Sequence, residues 1–492
     1  MTTLDVIAVV AVTVDVAFRL IALVIVPRNR RPQTSMAWLL AIFLIPYVAF
    51  LAFLAFGSHR LSPTRRRKQA TINDYLRHWH ALLPEAVQVH SDELRRMRSL
   101  PDWVPSVVQM TEDLGHIPMV RGNTLEFLPD YEPTLQRMVE DIDRAEFTVH
   151  VLFYIMSVDP TTDEFFAALE RAHHRGVEVR VLYDQVATRR IRGSSEVPKK
   201  LRAAGIEFYP MLPFQPWQGV YQRPDLRNHR KILVIDSAVA FTGSQNIIES
   251  GYRDTKHLKR GLHWLDLMVR VEGPLVSSLE ALFVTDWYQE TDTILPLTHS
   301  QAKTSGRNRG VFAQVVPSGP AFDGENNLRV FNVLMYGARK NILIVSPYLV
   351  PDDSMRYAIT SAALRGVQVD VVVSEIGDQP LVFHAQRSYY DELLAAGVRI
   401  WLYPAPTILH SKFVVVDEAV AVMGTSNLDM RSFTLNLELT LLLLGNKAIT
   451  PLTTLGRDYI AHSRQLDREE WASRPALTQI IEGLARLTAT VQ

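Results

Sequence analysis

The sequence contains no cysteine, and its formal charges cancel. Without cysteine the protein can form no disulfide, no thiolate zinc site and no cysteine nucleophile. Its 52 Lys and Arg residues equal its 52 Asp and Glu residues, so it lacks the global positive field that would favour nucleic acid as a partner. No H-E-x-x-H segment or comparable ligand cluster is present. We therefore expect neither a metal nor another cofactor.

One motif, H-x-K-x4-D-x6-G-[ST]-x-N, occurs in two copies. The first copy consists of His229, Lys231, Asp236, Gly243, Ser244 and Asn246. The second consists of His410, Lys412, Asp417, Gly424, Thr425 and Asn427. A single H-x-K match arises easily by chance, whereas two copies with four shared elements do not. We predict that the histidines, lysines and aspartates of both copies are catalytic.

The residue types in this motif suit attack on a phosphodiester. The anion needs positive charge and hydrogen-bond donors around its non-bridging oxygens. We expect charge from Lys231 and Lys412, and we expect phosphate-binding donors from Ser244, Asn246, Thr425 and Asn427. One histidine can attack phosphorus while the other protonates the departing alkoxide. Positions i and i+2 of a strand face the same side, so His and Lys should project together and Arg230 and Ser411 should point away.

The duplication extends beyond the motif. Each half carries an apolar run, an R-G-V segment and an A-A-G turn in the same order, at 147–156, 175–181 and 203–205, then at 341–350, 365–371 and 395–397. Alternating strands and helices predict an α/β layered domain, and the shared order predicts a tandem repeat. The halves should pack about a pseudo-twofold axis that brings His229 and His410 into one active site.

The N-terminus contains two apolar stretches, residues 6–26 and 36–56. About 20 apolar residues suffice to cross a hydrocarbon core of roughly 30 Å, so we predict a two-helix transmembrane hairpin. The second stretch is uncharged, and Pro46 should kink it. The first carries Asp15 and Arg19, which are spaced to pair on a helix. A cleaved signal peptide fits poorly, because no Lys or Arg precedes the first stretch and a second span follows.

Basic residues flank both stretches. The link between them carries Arg28, Arg30 and Arg31, and the far side carries Arg60, Arg65, Arg66, Arg67 and Lys68. This bias predicts a cytoplasmic catalytic domain. The run at 65–68 is equally compatible with a contact to anionic head groups.

Several further segments carry a resemblance to a known family. They are residues 228–231, 264–266, 272–274, 283, 286–287, 317–320, 347–348, 351–352, 427–432 and 435–438. With the paired motifs they resemble the phospholipase D superfamily, and the N-L-D-x-R-S…L-N-x-E segment and the apolar N-terminus resemble its bacterial cardiolipin synthases. The resemblance covers nearly the whole chain. Two positions depart from it: Ser is commoner at the position of Thr425, and a second Gly is commoner at the position of Ser244.

The resemblance implies a role for each site residue. His229 corresponds to the nucleophile, and His410 corresponds to the general acid and then base. Asp266 corresponds to the carboxylate that orients His229, and Glu438 to the one that orients His410. Such a carboxylate fixes the imidazole tautomer and leaves the other ring nitrogen free. Glu438 lies in the apolar run 435–444, where an unpaired charge would be costly, and this favours a buried partner.

The function that the resemblance implies is a phosphatidyltransferase of the bacterial plasma membrane. It would make cardiolipin from two phosphatidylglycerol molecules, with release of glycerol and through a phosphatidyl-histidine intermediate. A membrane-bound phospholipase D or another phosphatidyltransferase is the alternative. A nuclease is disfavoured by charge neutrality and the apolar N-terminus, and an inactive scaffold is disfavoured by the intact motifs. The oligomeric state stays open.

The predicted organisation has five segments. They are the transmembrane hairpin at 1–58, a connecting region at 59–123, phospholipase D-like αβα layered domains at 124–295 and 309–492, and a linker at 296–308. The halves differ in length before the motif, because 24 positions separate Gly205 from His229 and 13 separate Gly397 from His410. The longer segment contains Phe214, Trp217 and Tyr221. These rings either cap the core or lie at the bilayer interface.

Overall fold

The computed structural model describes residues 3–28, 30, 32–57, 61–81, 83–98, 100–215, 223–297, 310–322 and 324–489. The chain divides into two compact units, Met1–Arg60 and Leu61–Gln492. The small unit contains the helices α1 (Thr3–Ile25), α2 (Pro32–Leu44) and α3 (Pro46–Phe56). Trp217 and Tyr221, and the predicted linker apart from Pro296 and Leu297, lie outside the described residues.

Apolar side chains dominate the small unit. Within α1, the segment Asp5–Ile25 is long and apolar enough to cross a membrane. Phe18 of α1 packs edge-on against Phe50 of α3, with 4.8 Å between the ring centroids. Asp15 and Arg19 form the predicted ion pair at 2.8 Å. Many large apolar side chains are exposed, including Ile7 at 62% and Leu44 at 72%.

The second apolar stretch, residues 36–56, is interrupted near its middle, where Pro46 was expected to kink it. The stretch is divided into α2 and α3 at Ile45, and Pro46 lies in the first turn of α3. Proline has no N–H, and a helix is least affected by its absence in that turn. The predicted kink is thus confirmed. The two helices have 13 and 11 residues, so each is shorter than the roughly 20 residues of a straight crossing.

The large unit alternates helices and strands. Its helices are α4 (Pro63–Ala81), α5 (Ser91–Arg96), α6 (Val104–Gly115), α7 (Tyr131–Asp143), α8 (Asp163–His174), α9 (Gln185–Arg189), α10 (Glu196–Ala203), α11 (Thr255–Lys259), α12 (Leu275–Thr291), α13 (Asn326–Gly337), α14 (Asp353–Leu364), α15 (Pro380–Arg387), α16 (Tyr390–Ala395), α17 (Met430–Thr434), α18 (Asn446–Ala461), α19 (Arg468–Ala472) and α20 (Ala476–Arg486). Its strands are β1 (Val120–Leu128), β2 (Thr148–Phe153), β3 (Glu178–Asp184), β4 (Glu207–Met211), β5 (Arg227–Asn228), β6 (Ile232–Ile235), β7 (Val239–Gly243), β8 (His263–Leu265), β9 (Met268–Glu272), β10 (Val311–Ser318), β11 (Asn341–Val345), β12 (Leu349–Val350), β13 (Gln368–Ser374), β14 (Arg399–Tyr403), β15 (Thr407–Leu409), β16 (Phe413–Val416), β17 (Val420–Gly424), β18 (Leu428–Asp429), β19 (Asn436–Leu444) and β20 (Arg464–Gln465).

The main sheet displays the duplication. Outward from its centre, one half runs β1-β9-β7-β6-β2-β3-β4 and the other runs β10-β19-β17-β16-β11-β13-β14, with β20 at the edge. The central pair β1 and β10 is antiparallel, and the outer three strands of each half are parallel. Corresponding strands thus occupy equivalent places on either side of the β1–β10 pair. The predicted mixed α/β repeat is confirmed.

Helices cover both faces of this sheet. On one face, α12 and α18 pack over a core that contains residues of both halves, among them Phe283, Leu441 and Leu452. On the other face, α7 and α8 cover the first half and α13 and α14 cover the second. The strands β6 and β16 are buried throughout, as strands between two helical layers must be.

The connecting region is partly helical, as predicted, and α4 is tied to the first half. Arg65 bonds both carboxylate oxygens of Glu290, at 2.9 and 2.8 Å, and Lys68 pairs with Asp292 at 2.8 Å. Half of the basic run at 65–68 is therefore used inside the protein, while Arg66 and Arg67 are exposed. The sheet of the first half begins with β1 at Val120, so the predicted boundary at 124 falls within that strand.

Candidate active site

Two short parallel ribbons join the halves beside the repeated motifs. In one, β5 pairs with the beginning of β19, and in the other, β15 pairs with β8. His229 follows β5, and its backbone N–H donates to the Leu437 carbonyl at 2.9 Å. His410 follows β15, and its N–H donates to the Leu265 carbonyl at 2.8 Å. Each ribbon therefore places the histidine of one half beside the residue that follows Leu437 or Leu265 in the other half.

That next residue is a carboxylate in both ribbons. Nδ1 of His229 lies 3.0 Å from Oε2 of Glu438, and Nδ1 of His410 lies 2.6 Å from Oδ1 of Asp266. The pairing of Asp266 with His229 and of Glu438 with His410 is therefore wrong. The two carboxylates are the expected ones, but each orients the histidine of the other half, because the ribbons connect the halves. Nε2 is the ring nitrogen left for reaction.

The motif hydroxyls bond these carboxylates. Ser244 Oγ donates to Asp266 at 2.6 Å, and Thr425 Oγ1 donates to Glu438 at 2.5 Å. Each hydroxyl also accepts a backbone N–H at 2.9 Å, from Leu267 and Leu439 respectively. Their donors are thus occupied, and the expectation that Ser244 and Thr425 bind phosphate is corrected. They hold the carboxylates that hold the histidines.

The glycine before each hydroxyl permits this contact. Gly243 and Gly424 have φ values of 150° and 157°. A Cβ on either would overlap the carbonyl oxygen of Leu267 or Leu439. Only glycine lets the backbones approach closely enough for the hydroxyl to reach the carboxylate.

Both lysines lie in the buried cluster with the histidines. Lys231 Nζ donates to the carbonyl of His229 at 2.7 Å, and Lys412 Nζ donates to that of His410 at 2.6 Å. The residue between the histidine and the lysine of each motif faces elsewhere, as expected. Arg230 bonds both oxygens of Asp286, at 2.9 and 2.8 Å, and the Ser411 hydroxyl lies 3.1 Å from that of Tyr459.

The two motif asparagines differ. Asn246 is occupied, because its Oδ1 accepts the Ile155 N–H at 3.1 Å and its Nδ2 donates to the Tyr252 hydroxyl at 2.7 Å. Asn427 Oδ1 is buried with no hydrogen-bond partner in the described part of the chain. A buried polar atom without a partner is uncommon. Phosphate binding by Asn427, which would use its Nδ2 as donor, stays a prediction, and Asn246 serves the protein's own structure.

Two tyrosines flank the histidines and were missed from the sequence. The ring of Tyr154 packs edge-on against His229 at 4.7 Å between centroids, and Tyr252 packs against His410 at 6.4 Å. Both lie outside the repeated motif and at unequal distances from it in sequence. Only the folded sheet brings them to the site.

Asp236 and Asp417 lie away from this cluster. Each follows the far end of its H-x-K strand, in a turn with φ of 51° and 53°. Asp236 accepts the backbone N–H groups of residues 146–148 at 2.7–2.8 Å. Asp417 likewise accepts those of residues 339–341 at 2.7–3.2 Å. The prediction that they are catalytic is corrected: they fix the turn against the start of the neighbouring strand.

Burial and clustered positive charge shift the site's ionisation. Burial, reinforced by Lys231 and Lys412, lowers the pKa of His229 well below its usual value. Burial and then Lys412 lower the pKa of His410, against the opposing effect of Asp266. Burial lowers the pKa of Lys231 to about 7 and that of Lys412 to about 8. The site thus concentrates cationic groups that an anionic substrate would stabilise.

The two carboxylates differ in charge. Burial raises the pKa of Glu438 to about 7. Burial acts in the same direction on Asp266, but the charges of His410 and Lys412 and the bonds from His410 and Ser244 hold its pKa below the usual value. Near neutral pH, Asp266 is therefore ionised, whereas the raised pKa of Glu438 favours its protonated form. The arrangement offers one neutral imidazole and one imidazole beside a fixed negative charge.

Known proteins are similar to this chain in sequence. A family model described as "Cardiolipin synthase, PLD-like domain" matches residues 138–287 and 333–455, and one described as "Phospholipase D-nuclease N-terminal" matches residues 7–58. Cardiolipin synthase A of Proteus mirabilis (strain HI4320) is 33% identical over 467 residues, which cover 93% of this chain and 92% of that protein. The same enzyme of Serratia proteamaculans (strain 568) is 32% identical over 469 residues, 94% of each chain.

A solved structure shares the fold. The crystal structure of phosphatidylserine synthase from Haemophilus influenzae Rd KW20 matches with a TM-score of 0.59, at 16% identity, and the match covers 78% of this chain and 99% of that one. At this identity the likeness concerns the arrangement of strands and helices alone.

Proposed function

The chain belongs to the cardiolipin synthase family of phospholipase D-like enzymes, and on that premise we propose that it makes cardiolipin from two phosphatidylglycerol molecules and releases glycerol. The observation that carries this proposal is the crosswise pair of histidine–carboxylate contacts between two buried lysines. Such a site supplies a nucleophile, a proton donor and charge for a phosphodiester.

In the first step, Nε2 of His229 attacks phosphorus of the donor lipid. An N–P bond forms, the P–O bond to glycerol breaks, and Nε2 of His410 gives its proton to the departing oxygen. The lowered pKa of His229 supports the nucleophile role because attack requires a neutral imidazole. The ionised Asp266 supports the acid role, because it favours the protonated ring of His410 and opposes the lowering of that ring's pKa by burial and Lys412.

In the second step, a hydroxyl of the acceptor lipid attacks the phosphatidyl-histidine. A new P–O bond forms, the N–P bond breaks, and the hydroxyl proton passes to His410. Lys231 and Lys412 offset the phosphate charge in both steps. Attack by water instead of a lipid hydroxyl would give phosphatidic acid, which is the outcome of the alternative hydrolase. We expect no cofactor in either step.

We also propose that the small unit anchors the protein in the bacterial plasma membrane, with the large unit in the cytoplasm. The helix α1 and the kinked pair α2–α3 would form the two passes of a hairpin. The length and apolar character of the 21-residue segment Asp5–Ile25 and the exposed apolar side chains support this, because such surfaces mark contact with lipid or protein. For the two repeated domains we propose that the first runs from the start of β1 at Val120 to 295 and that the second runs from 309 to 492.

Expression in a bacterial host that lacks cardiolipin tests the reaction. Lipid mass spectrometry should show cardiolipin with the wild-type chain and none with His229→Ala or His410→Ala. Phosphatidic acid without cardiolipin would show a hydrolase instead. A nuclease would leave the host's lipids unchanged.

Trapping the intermediate tests the roles of the histidines. The purified full chain is mixed with phosphatidylglycerol labelled in the phosphate, quenched with denaturant and digested. We expect the label on the peptide that contains His229. Label on the peptide that contains His410 would reverse the two roles.

A further inference from the structure

The two halves differ beside their histidines. In the first half, Asp184 at the end of β3 pairs with Arg227 at 3.1 Å, and both side chains are buried, at 0% and 2% exposed. Asp184 also accepts the Asn228 N–H at 3.0 Å. The strand end that corresponds in the second half is Ser374 of β13, whose hydroxyl accepts the Leu409 N–H at 2.7 Å. A serine there leaves room that the ion pair fills in the first half.

A small recess lies at that place in the second half. It is lined by Tyr348, Ser374, Asp378, Phe383, Gln386 and Ile408. Ile408 belongs to β15, two residues before His410. Asp378 is close enough to the site for its charge to raise the pKa of Lys412 against the dominant effect of burial. The recess therefore adjoins the part of the site that contains His410.

The polar lining of the recess includes a phenol–carboxylate pair. The Tyr348 hydroxyl lies 2.8 and 2.9 Å from the two oxygens of Asp378, and Gln379 Nε2 donates to the same hydroxyl at 3.0 Å. Tyr348 and Asp378 are half-buried, and Gln379 is exposed. A carboxylate accepts hydrogen bonds and repels phosphate, whereas Lys231 and Lys412 attract it. This pair suits neighbouring hydroxyl groups, not a second anion.

We propose that Tyr348 and Asp378 bind the glycerol hydroxyls of the lipid head group beside His410. The inference rests on the proposed transfer reaction and names its alcohol subsite. His410 would protonate the departing glycerol oxygen and deprotonate the incoming hydroxyl, so both groups must occupy the same place. One glycerol subsite then serves both steps. Tyr348 and Asp378 determine specificity and take no part in proton transfer.

A competition between two alcohols tests this subsite. The purified full chain acts on phosphatidylglycerol in the presence of isotope-labelled glycerol and propan-1-ol, which has one hydroxyl. Labelled phosphatidylglycerol and phosphatidylpropanol are then measured by mass spectrometry. Both products arise from a common phosphatidyl-enzyme, so their ratio does not depend on the fraction of protein that is active.

We expect the wild-type chain to favour glycerol and Asp378→Ala to lower the glycerol-to-propanol ratio by roughly tenfold or more, the usual effect of losing a hydrogen bond to a charged group. Asp378→Asn and Tyr348→Phe, which keep the size of the side chain, should lower it less and cover the case in which the alanine variant does not fold. The matched control is Asp391→Asn, because Asp391 is a 56%-exposed carboxylate of the same half that pairs with Arg474. Its ratio should equal that of the wild type.

The outcomes separate the two proposals. If the wild-type chain forms both products and the Asp378 and Tyr348 variants keep its ratio, with or without a slower rate, the glycerol subsite is wrong and the transfer reaction stands. If the wild-type chain forms neither product and releases only phosphatidic acid, the transfer reaction is wrong and the subsite with it.

Discussion

Single residues explain why two similar histidines can do different work. Both bond a carboxylate through Nδ1, but Glu438 has a pKa of about 7 whereas Asp266 is ionised. The difference follows from the neighbours: His410 and Lys412 stabilise the charge on Asp266, while burial dominates at Glu438. A symmetric fold therefore holds an asymmetric pair of bases.

The crosswise pairing predicts that replacing the two carboxylates has unequal effects on the first step. With a lipid that releases p-nitrophenol, the departing group needs no proton, so only the nucleophile and its carboxylate matter for the first step. Glu438→Gln should slow the burst of p-nitrophenol by about 10- to 100-fold, as losses of an orienting partner commonly do. Asp266→Asn should change it less than about threefold. Stopped-flow absorbance measures both, and the reverse pattern would restore the pairing within each half.

The lysines predict the pH dependence of kcat/KM. Lys231 and Lys412 have pKa values of about 7 and about 8, so they lose their positive charge as the pH rises through that interval. Because the neutral amines attract phosphate less, kcat/KM for phosphatidylglycerol should fall between pH 7 and pH 9. In Lys412→Met the value should be at least about tenfold lower at pH 7, and the fall above pH 7.5 should be weaker. A pH-independent kcat/KM up to pH 9 would contradict this role.

The motif predicted the histidines and lysines of the site, but it wrongly included Asp236 and Asp417 and did not show what each residue contacts. Spacing fixed the direction of Lys231 and Arg230, because alternation along a strand is local. It could not supply the partner of His229, since Glu438 is 209 residues away. The same limit explains the errors on Ser244 and Asp236. A repeated polar residue shows that the site needs it, but the surrounding backbone determines whether it faces substrate or protein.

At the scale of elements, the regular strands were predictable and the connecting ribbons were not. The strands β6 and β16 have continuous apolar sequences, and their order among the helices revealed the repeat. The strands β5, β8 and β15 have two or three residues each, which is too short for any periodic pattern. Their pairing depends on how the halves dock. The break between α2 and α3 could be predicted, because it depends on Pro46 itself and not on a distant part of the chain.

The close approach of Gly424 to the Leu439 backbone predicts that a larger residue there lowers the stability of the protein. Gly424→Ala would place a methyl group against the Leu439 carbonyl. It should lower the free energy of unfolding by about 2 kcal/mol or more, typical of strain at a glycine conformation, and it should abolish activity by moving Thr425. Thermal unfolding and the p-nitrophenol burst measure the two effects.

The control for that variant is Gly366→Ala. Gly366 also has a positive φ, of 88°, but open space surrounds the position of its Cβ. We expect a smaller loss of stability and nearly full activity for the protein that folds. Equal effects of both substitutions on activity would show that backbone strain alone, and not the position of Thr425, accounts for the loss.

At the scale of the whole molecule, the two halves share one sheet and the core on one of its faces. The strands β1 and β10 pair across the centre, and the core beneath α12 and α18 takes residues from both halves. The repeat in the sequence predicted two domains that share one active site. That the connection is a continuous sheet depends on edge pairing between distant strands, which the sequence pattern does not encode.

This continuity predicts the behaviour of a cut chain. A protease site introduced between residues 298 and 309 and then cleaved should leave two fragments that purify together and retain most of the activity. The fragment 1–297 expressed alone should release no p-nitrophenol, because it lacks Glu438, Lys412 and the whole second half of the sheet. Release at the wild-type rate by that fragment would show that His229 needs nothing from the second half.

The crosswise contacts also set the order in which the protein becomes reactive during its synthesis. The ribosome adds about 5–20 residues per second, so the 209 residues between His229 and Glu438 take roughly 10–40 s to make. Throughout that time the apolar N-terminal helices have already been made. The growing chain meets its lipid surroundings with an unaligned nucleophile, and reactivity begins only after the last strands of the second half have been translated and folded into place.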